Sequence, residues 1–320
     1  LGRMVEEEYI GQEEAEASAN EPLNIKQASS DIRAPHFVMY VREYLVQEYG
    51  EVVAAQGGFK VTTTLDLDVQ EVAQKQVADN IEKLKGLRVS NGAAVVTKPK
   101  TGEILAMVGA RDFFDTAIDG NVNVTVALRQ PGSSIKPINY ATALARRLIT
   151  AATVIMDVPT TFASIPKPYK PVNYDGRFHG PVQVRYALGN SYNIPAVKVL
   201  ALNGVGEMIK MAREMGITSF EDESRYGLSL TLGGGEVRMT EMAVAFGVFA
   251  NEGLRVDLTS ILKIEDSRGK VIEEFKPKSG KRVLSSEVAF LISSILSDNS
   301  ARTAAFGPSS LLAIKGKTVA

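Results

Sequence analysis

Arg129-Gln130-Pro131-Gly132-Ser133-Ser134-Ile135-Lys136-Pro137 places a serine three residues before a lysine, at the head of an apolar-periodic stretch. Ile138, Ala141, Thr142, Leu144 and Ala145 follow at helical spacing, so the segment predicts a helix with one buried face. Positions i and i+3 share a face of a helix, which brings the ammonium of Lys136 within reach of the Ser133 hydroxyl. Gly132 supplies a permissive turn ahead of the pair. Pro137 is tolerated in a first turn, where backbone N–H groups have no helical partner.

Ser-x-x-Lys itself occurs four times, starting at Ser133, Ser164, Ser260 and Ser267. Ser164 lies in a Pro-rich loop. Ser260 to Lys263 reads as a strand, which sends the two side chains to opposite faces. Ser267 to Lys270 straddles the turn of a hairpin. Only at Ser133 does the spacing carry geometry.

Composition narrows the chemistry. The 320 residues suggest about two domains, and 45% apolar content is ample for a sizeable core. With 36 basic and 37 acidic residues the net charge is −1, so no basic surplus points to nucleic acid. The absence of cysteine excludes a disulfide, a thiol nucleophile and Cys-ligated zinc. The two histidines, His36 and His179, sit in no recognisable motif, which leaves a Ser-His-Asp triad little to draw on and makes lysine the leading base. Gly233-Gly234-Gly235 lacks the flanking residues of a phosphate-binding loop and reads as a tight turn. Neither a metal nor a cofactor is implied. The longest nearly apolar run, Met242 to Ala250, is far short of the roughly 20 residues that span a bilayer. No signal peptide is visible, and the chain begins in a helical pattern and stops in an apparent strand, so it reads as a fragment.

Along the chain, residues 1 to 19 read as acidic helical pieces broken at Gly11, and Asn20 to Pro35 as a linker. His36 to Tyr49 predicts an amphipathic helix, Phe59 to Leu65 a strand, and the repeat from Val69 to Leu84 a helix capped by Asp66 or Asp68. Gly92 to Thr97 and Glu103 to Gly109 predict a hairpin, followed by a loop of about 20 residues, a length that commonly serves a site. Helices are expected from Pro181 to Gly189, from Pro195 to Asn203, from Glu207 to Met215, from Thr240 to Asn251 and from Ser285 or Ser286 to Ser297. Ile261 to Phe275 predicts a second hairpin, and Leu311 to Ile314 the entry to a strand that carries Lys317 and Thr318.

These pieces suit acyl transfer. Serine oxygen attacks only when its proton is taken, and lysine takes it only when neutral, which burial or a neighbouring cation such as Lys317 favours. Ser191 offers a relay hydroxyl, and Asn193 can hold the lysine with its carbonyl and a substrate amide with its NH₂. Backbone N–H groups at the helix start suit an oxyanion.

Ser133-x-x-Lys136, Ser191-x-Asn193 and Lys317-Thr318 stand in the order of the penicillin-binding transpeptidase motifs. The chain resembles class A, bifunctional penicillin-binding proteins over nearly its whole length. Phe59-Lys60-Val61-Thr62-Thr63-Thr64-Leu65-Asp66, Gly102-Glu103-Ile104-Leu105-Ala106-Met107-Val108-Gly109 and Asn193-Ile194-Pro195-Ala196-Val197 carry the likeness beyond the motifs. The resemblance implies an α+β fold of the penicillin-binding transpeptidase and serine β-lactamase type, a mostly antiparallel sheet flanked by helices, truncated at its C-terminus. It implies residues 1–19 as the tail of a glycosyltransferase domain, 20–90 as a linker or junction region, and 91–320 as the transpeptidase domain.

By position, Ser133 is then the acylated nucleophile, Lys136 its base, and Ser191 and Asn193 one wall of the cleft. Lys317 and Thr318 form the other wall on a strand, Thr318 binds the substrate carboxylate, and Ala320 gives the second oxyanion N–H. The implied activity is a D,D-transpeptidase that cross-links stem peptides ending in D-Ala-D-Ala, with lipid-linked glycan strands as further partners and β-lactams as inhibitors. The implied location is the outer face of the bacterial plasma membrane, on an N-terminal anchor. One position departs: Val319 stands where the family has the glycine of Lys-Thr-Gly, and a β-branched side chain there crowds a substrate backbone. That departure raises an alternative, a catalytically impaired homologue that acts as a scaffold in cell-wall synthesis. A serine β-lactamase is a third reading, against which the glycosyltransferase-like tail weighs.

Overall fold

Buried apolar side chains at helical spacing organise most of this chain, and the strands are short. The computed structural model describes residues 1–20, 32–163, 167–277 and 279–320. Most of the segment read as a linker, and residues 164–166 of the Pro-rich loop, lie outside them. The chain divides into two compact units, Leu1–Arg33 and Ala34–Ala320. The first holds α1 (Gly2–Glu6) and α2 (Gln12–Asn20).

The second unit opens with α3 (Pro35–Tyr49), α4 (Glu51–Gln56), β1 (Lys60–Thr63) and α5 (Leu67–Leu84). Asp66 caps α5, its carboxylate accepting from the N–H groups of Asp68 and Val69, both at 3.1 Å. The hairpin β2 (Ala94–Lys98) and β3 (Glu103–Val108) follows. A 3₁₀ turn at Gly132–Ile135 then feeds α6 (Lys136–Ala145). Next come β4 (Val154–Asp157), β5 (Gly180–Gln183), α7 (Val184–Gly189), α8 (Asn193–Asn203) and α9 (Val205–Glu214). A second 3₁₀ turn, Leu228–Leu232, precedes α10 (Met239–Ala250). The chain continues through β6 (Leu254–Arg255), β7 (Ile261–Glu265), β8 (Val271–Glu274), β9 (Lys281–Arg282), α11 (Ser286–Ser297) and α12 (Asn299–Phe306).

Among the described residues the sheets are antiparallel: β1–β7–β8 form a three-stranded sheet, and β2–β3, β4–β5 and β6–β9 form pairs, with one isolated parallel bridge from Glu103 to Thr259. From Ala34 on, the stretch read as a junction belongs to the larger unit, where Phe37, Val41 and Leu45 of α3 pack in one core with Ile104, Met107 and Ile264. Among the described residues no helix is long and apolar enough to cross a membrane.

The larger core surrounds α6. Ile135, Ile138, Tyr140 and Ala141 are fully buried with Val199, Leu200 and Ile292, and each large apolar side chain there contributes about 1.5–3 kcal/mol. A buried polar knot fixes α6 against α8. The Asn139 amide donates to Ala196 O and to Thr231 Oγ1, both at 2.9 Å, and the Asn203 amide donates back to Asn139 O at 2.9 Å. The helix that carries Lys136 is thereby set relative to the one that begins at Asn193.

Two expectations need correction. The helix expected from Pro181 starts at Val184, because 180–183 pair as β5 with β4, whose backbone groups take theirs in register from Val154↔Gln183 to Asp157↔Gly180. The strand expected from Leu311 through Thr318 does not form. A strand needs a neighbour for its N–H and C=O groups, and none of the described residues pairs with 311–320. The segment instead closes turns through Ala313 N to Ser310 O at 2.8 Å and Lys317 N to Ile314 O at 3.1 Å.

The glycine triplet is a structural turn, as its sequence suggested. Gly233, at φ +90°, lies so close to the loop before Ser133 that a Cβ on it would sit 2.3 Å from Gly132 N. Gly233→Ala is expected to destabilise the fold by about 1–3 kcal/mol, read as a lowered thermal unfolding midpoint, whereas Gly204→Ala, also at positive φ but with nothing within 4 Å of its Cβ, should lower it less.

Candidate active site

The site grows from the turn before α6. Gly132, at φ +58°, reverses the chain, and Ser133 follows on the 3₁₀ turn with its side chain exposed. The hydroxyl of Ser134, on the same cavity wall, donates to Pro131 O at 2.6 Å. Lys136, one turn later, is 1% exposed. A buried ammonium needs partners for its three N–H groups. Nζ donates to Ser191 O at 2.5 Å, to Asn193 Oδ1 at 2.7 Å and to Ser191 Oγ at 3.1 Å.

The acceptors come from Ser191, in the short link between α7 and α8, and from Asn193, the first residue of α8. Ser191 holds φ +57°, a left-handed conformation that costs a non-glycine residue on the order of 1–2 kcal/mol. Asn190, just before it, is held by α12: its amide donates to Ala301 O at 2.7 Å and its carbonyl accepts from Ala305 N at 2.8 Å. Asn193 donates from its own amide to Val172 O at 2.8 Å. Burial pushes the Lys136 ammonium down from its ordinary value near 10.5 to about 7. The amine is therefore poised to give and take a proton near neutral pH.

Among the described residues no hydrogen bond joins Lys136 to Ser133. The two share a turn, as the spacing required, but the ammonium leans toward Ser191 and Asn193. A cavity of about 220 Å³ opens beside them, its wall including Ser133, Lys136, Ser191, Arg302, Phe306 and Ala320. Lys317 and Thr318 do not line it and are exposed, so Lys317 is not the cation that perturbs Lys136; burial is. Val319 is half-buried.

Sequence reasoning missed Arg302, 5% exposed, whose guanidinium donates to Leu296 O at 2.8 Å and Asn299 Oδ1 at 3.2 Å on the cavity side of α12. No motif surrounds it, and only the fold of α12 against α7 brings it there. His36, read as an ordinary residue, is buried with Nε2 2.9 Å from Gly120 O. His179, read the same way, bridges two aspartates.

The family model "Penicillin binding protein transpeptidase domain" matches residues 92–318. The chain belongs to that family. Penicillin-binding protein 2D of Bacillus subtilis is 31% identical over 92% of the chain and 42% of its own length. Penicillin-binding protein 1A of Aquifex aeolicus is 28% identical over 87% of the chain and 48% of its own length. The chain thus spans less than half of these curated relatives, and corresponds to the transpeptidase portion of class A penicillin-binding proteins. In fold it is similar to the crystal structure of penicillin-binding protein 1A from Haemophilus influenzae, with TM-score 0.79 and 24% identity over 94% of the chain and 62% of that protein.

An NMR titration of the Lys136 side chain is expected to show a midpoint at about pH 7, the amine charged below it and neutral above. Asn193→Ala removes an acceptor that favours the charged form, so it should move that midpoint to lower pH.

Proposed function

We propose that this chain carries a serine D,D-transpeptidase that cross-links peptidoglycan stem peptides through an acyl-serine intermediate. The observation that carries the reading is the buried Lys136 ammonium, bonded to Ser191 and Asn193 one turn from an exposed Ser133. In this reading neutral Lys136 takes the Ser133 proton as the hydroxyl attacks the carbonyl of a D-Ala-D-Ala end. Ser191, within 3.1 Å of Nζ, passes a proton to the departing amine. Asn193 uses one amide N–H on Val172 O and keeps the other for the substrate backbone. The N–H groups of Ser133 and Ala320 receive the oxyanion, and Lys317 and Thr318 bind the substrate carboxylate. Water then has to be kept from the ester until an acceptor amine arrives, which separates this activity from that of a β-lactamase.

The length of the relatives supports placing the chain within a bifunctional glycosyltransferase–transpeptidase, with residues 1–19 as the end of the first domain, 20–90 as the junction and 91–320 as the second. Lipid-linked glycan strands are then partners of the whole protein, β-lactams its inhibitors, and the outer face of the plasma membrane its location.

One observation favours a second reading, an impaired homologue that acts as a scaffold: residues 311–320 form no strand, and Val319 replaces the motif glycine. Intact mass spectrometry of the full-length protein with a labelled penicillin is expected to give one covalent adduct, lost in Ser133→Ala. An adduct that survives Ser133→Ala overturns the assignment, and fast release of hydrolysed drug indicates a β-lactamase. Val319→Gly separates the two remaining readings: a large gain in acylation rate supports impairment, and an unchanged rate supports an active enzyme.

A further inference from the structure

The segment from Asp157 to His179 holds charged and amide groups that the transpeptidase reading does not use. Asp157 ends β4 with 0% exposure. Its Oδ1 and Oδ2 accept from Asn173 Nδ2 at 3.0 and 2.8 Å, and Oδ2 also accepts from the backbone N–H of His179 at 3.1 Å and from its Nδ1 at 2.6 Å. A carboxylate accepts hydrogen bonds, so the Asn173 amide turns its NH₂ toward Asp157 and its oxygen away. The other N–H of that amide donates to Arg177 O at 2.8 Å.

The oxygen is thereby aimed at the start of α8. Asn173 Oδ1 accepts from the backbone N–H of Asn193 at 2.8 Å and of Ile194 at 3.4 Å. These N–H groups have no partner inside the helix. The residue at the N-cap position, Tyr192, makes no side-chain cap bond. Asn173 supplies the missing cap from 20 residues upstream in the chain. Both ends of the amide demand the same orientation, acceptor toward α8 and donor toward Asp157. His179 steadies the same point from the side. Its ring stacks on Tyr192 with centroids 3.9 Å apart and 13° between planes, and Nε2 lies 3.1 Å from Asp175 Oδ2.

We propose that Asp157 and Asn173 are positioning residues for acyl transfer, a remote cap that fixes the start of α8 and so holds the Asn193 carbonyl against Lys136. The proposal rests on the transpeptidase reading of Ser133 and Lys136, and its geometry is independent of that reading. Neither residue touches the reacting atoms. Their effect passes through the backbone of Asn193, whose Oδ1 takes one of the three N–H groups of Lys136.

A polarity exchange tests it in the full-length protein. Asn173→Asp keeps an acceptor for α8 but sets a second carboxylate against that of Asp157. It should lower the acylation rate with labelled penicillin on the order of 100-fold and remove hydrogen-exchange protection from the Asn193 and Ile194 amides. Adding Asp157→Asn restores a donor facing an acceptor at that contact, though not the bond to Arg177 O, and should recover a measurable part of both the rate and the protection. Generalised damage to packing would deepen with the second substitution instead of reversing. The proposal is overturned if Asn173→Asp acylates at the parent rate with both amides protected, or if the paired substitution is no better than the single one. A parent protein that is never acylated at Ser133 sinks the transpeptidase reading, and the exchange data then decide the cap separately.

Discussion

Withdrawing one ammonium from water constrains most of what surrounds it. Lys136 sits at 1% exposure, and each N–H left unpaired there costs about 1–3 kcal/mol. Its acceptors come from Ser191 in the link between α7 and α8 and from Asn193 at the start of α8, so that corner must keep one shape. The left-handed backbone at Ser191, the grip of α12 on Asn190 and the amide bond from Asn193 to Val172 are what keep it. On the other side, the Asn139–Asn203 knot prevents α6 from sliding along α8, which would pull the ammonium from its acceptors. The same burial that imposes these demands makes the amine a base near neutral pH. Stability and chemistry are set by one desolvation.

How much of this was legible in the sequence depended on the range of the interaction. Periodicity placed α5, α6, α10 and α11 and turn residues placed the two hairpins, because those signals lie within a few residues of each other. The paired strands β4 and β5 escaped notice: Pro181 looks like a helix start, and its partner Met156 is far away in sequence. The terminal segment failed for the complementary reason. Its Leu-Leu-Ala-Ile run has strand character, and strand character forms no strand without a neighbour.

At the site, Ser133, Lys136, Ser191 and Asn193 were readable because ordered short spacings carried them, and the fold brings these residues around one cavity or into contact with Lys136. Arg302 and Asn173 were not. Each reaches the site by a tertiary contact, and neither lies in a local pattern that distinguishes it from any other surface-range arginine or turn asparagine. Lys317 shows the converse. A motif grouped it with Ser133 and Lys136 in the sequence, and without a strand to carry it Lys317 stays exposed and off the cavity wall.

The meeting of Gly132 and Gly233 has a further consequence. Main chain rests on main chain there, with no side chain between them to change rotamer. Side-chain hopping in the core reaches most loops as small displacements of the atoms that touch them. The turn that carries Ser133 meets the Gly233 backbone directly, and peptide segments have no such freedom. A Cβ placed at Gly233 therefore meets nothing that can yield by changing rotamer, and its displacement passes straight into the turn that carries Ser133, whose other end is anchored in the core by Ile135.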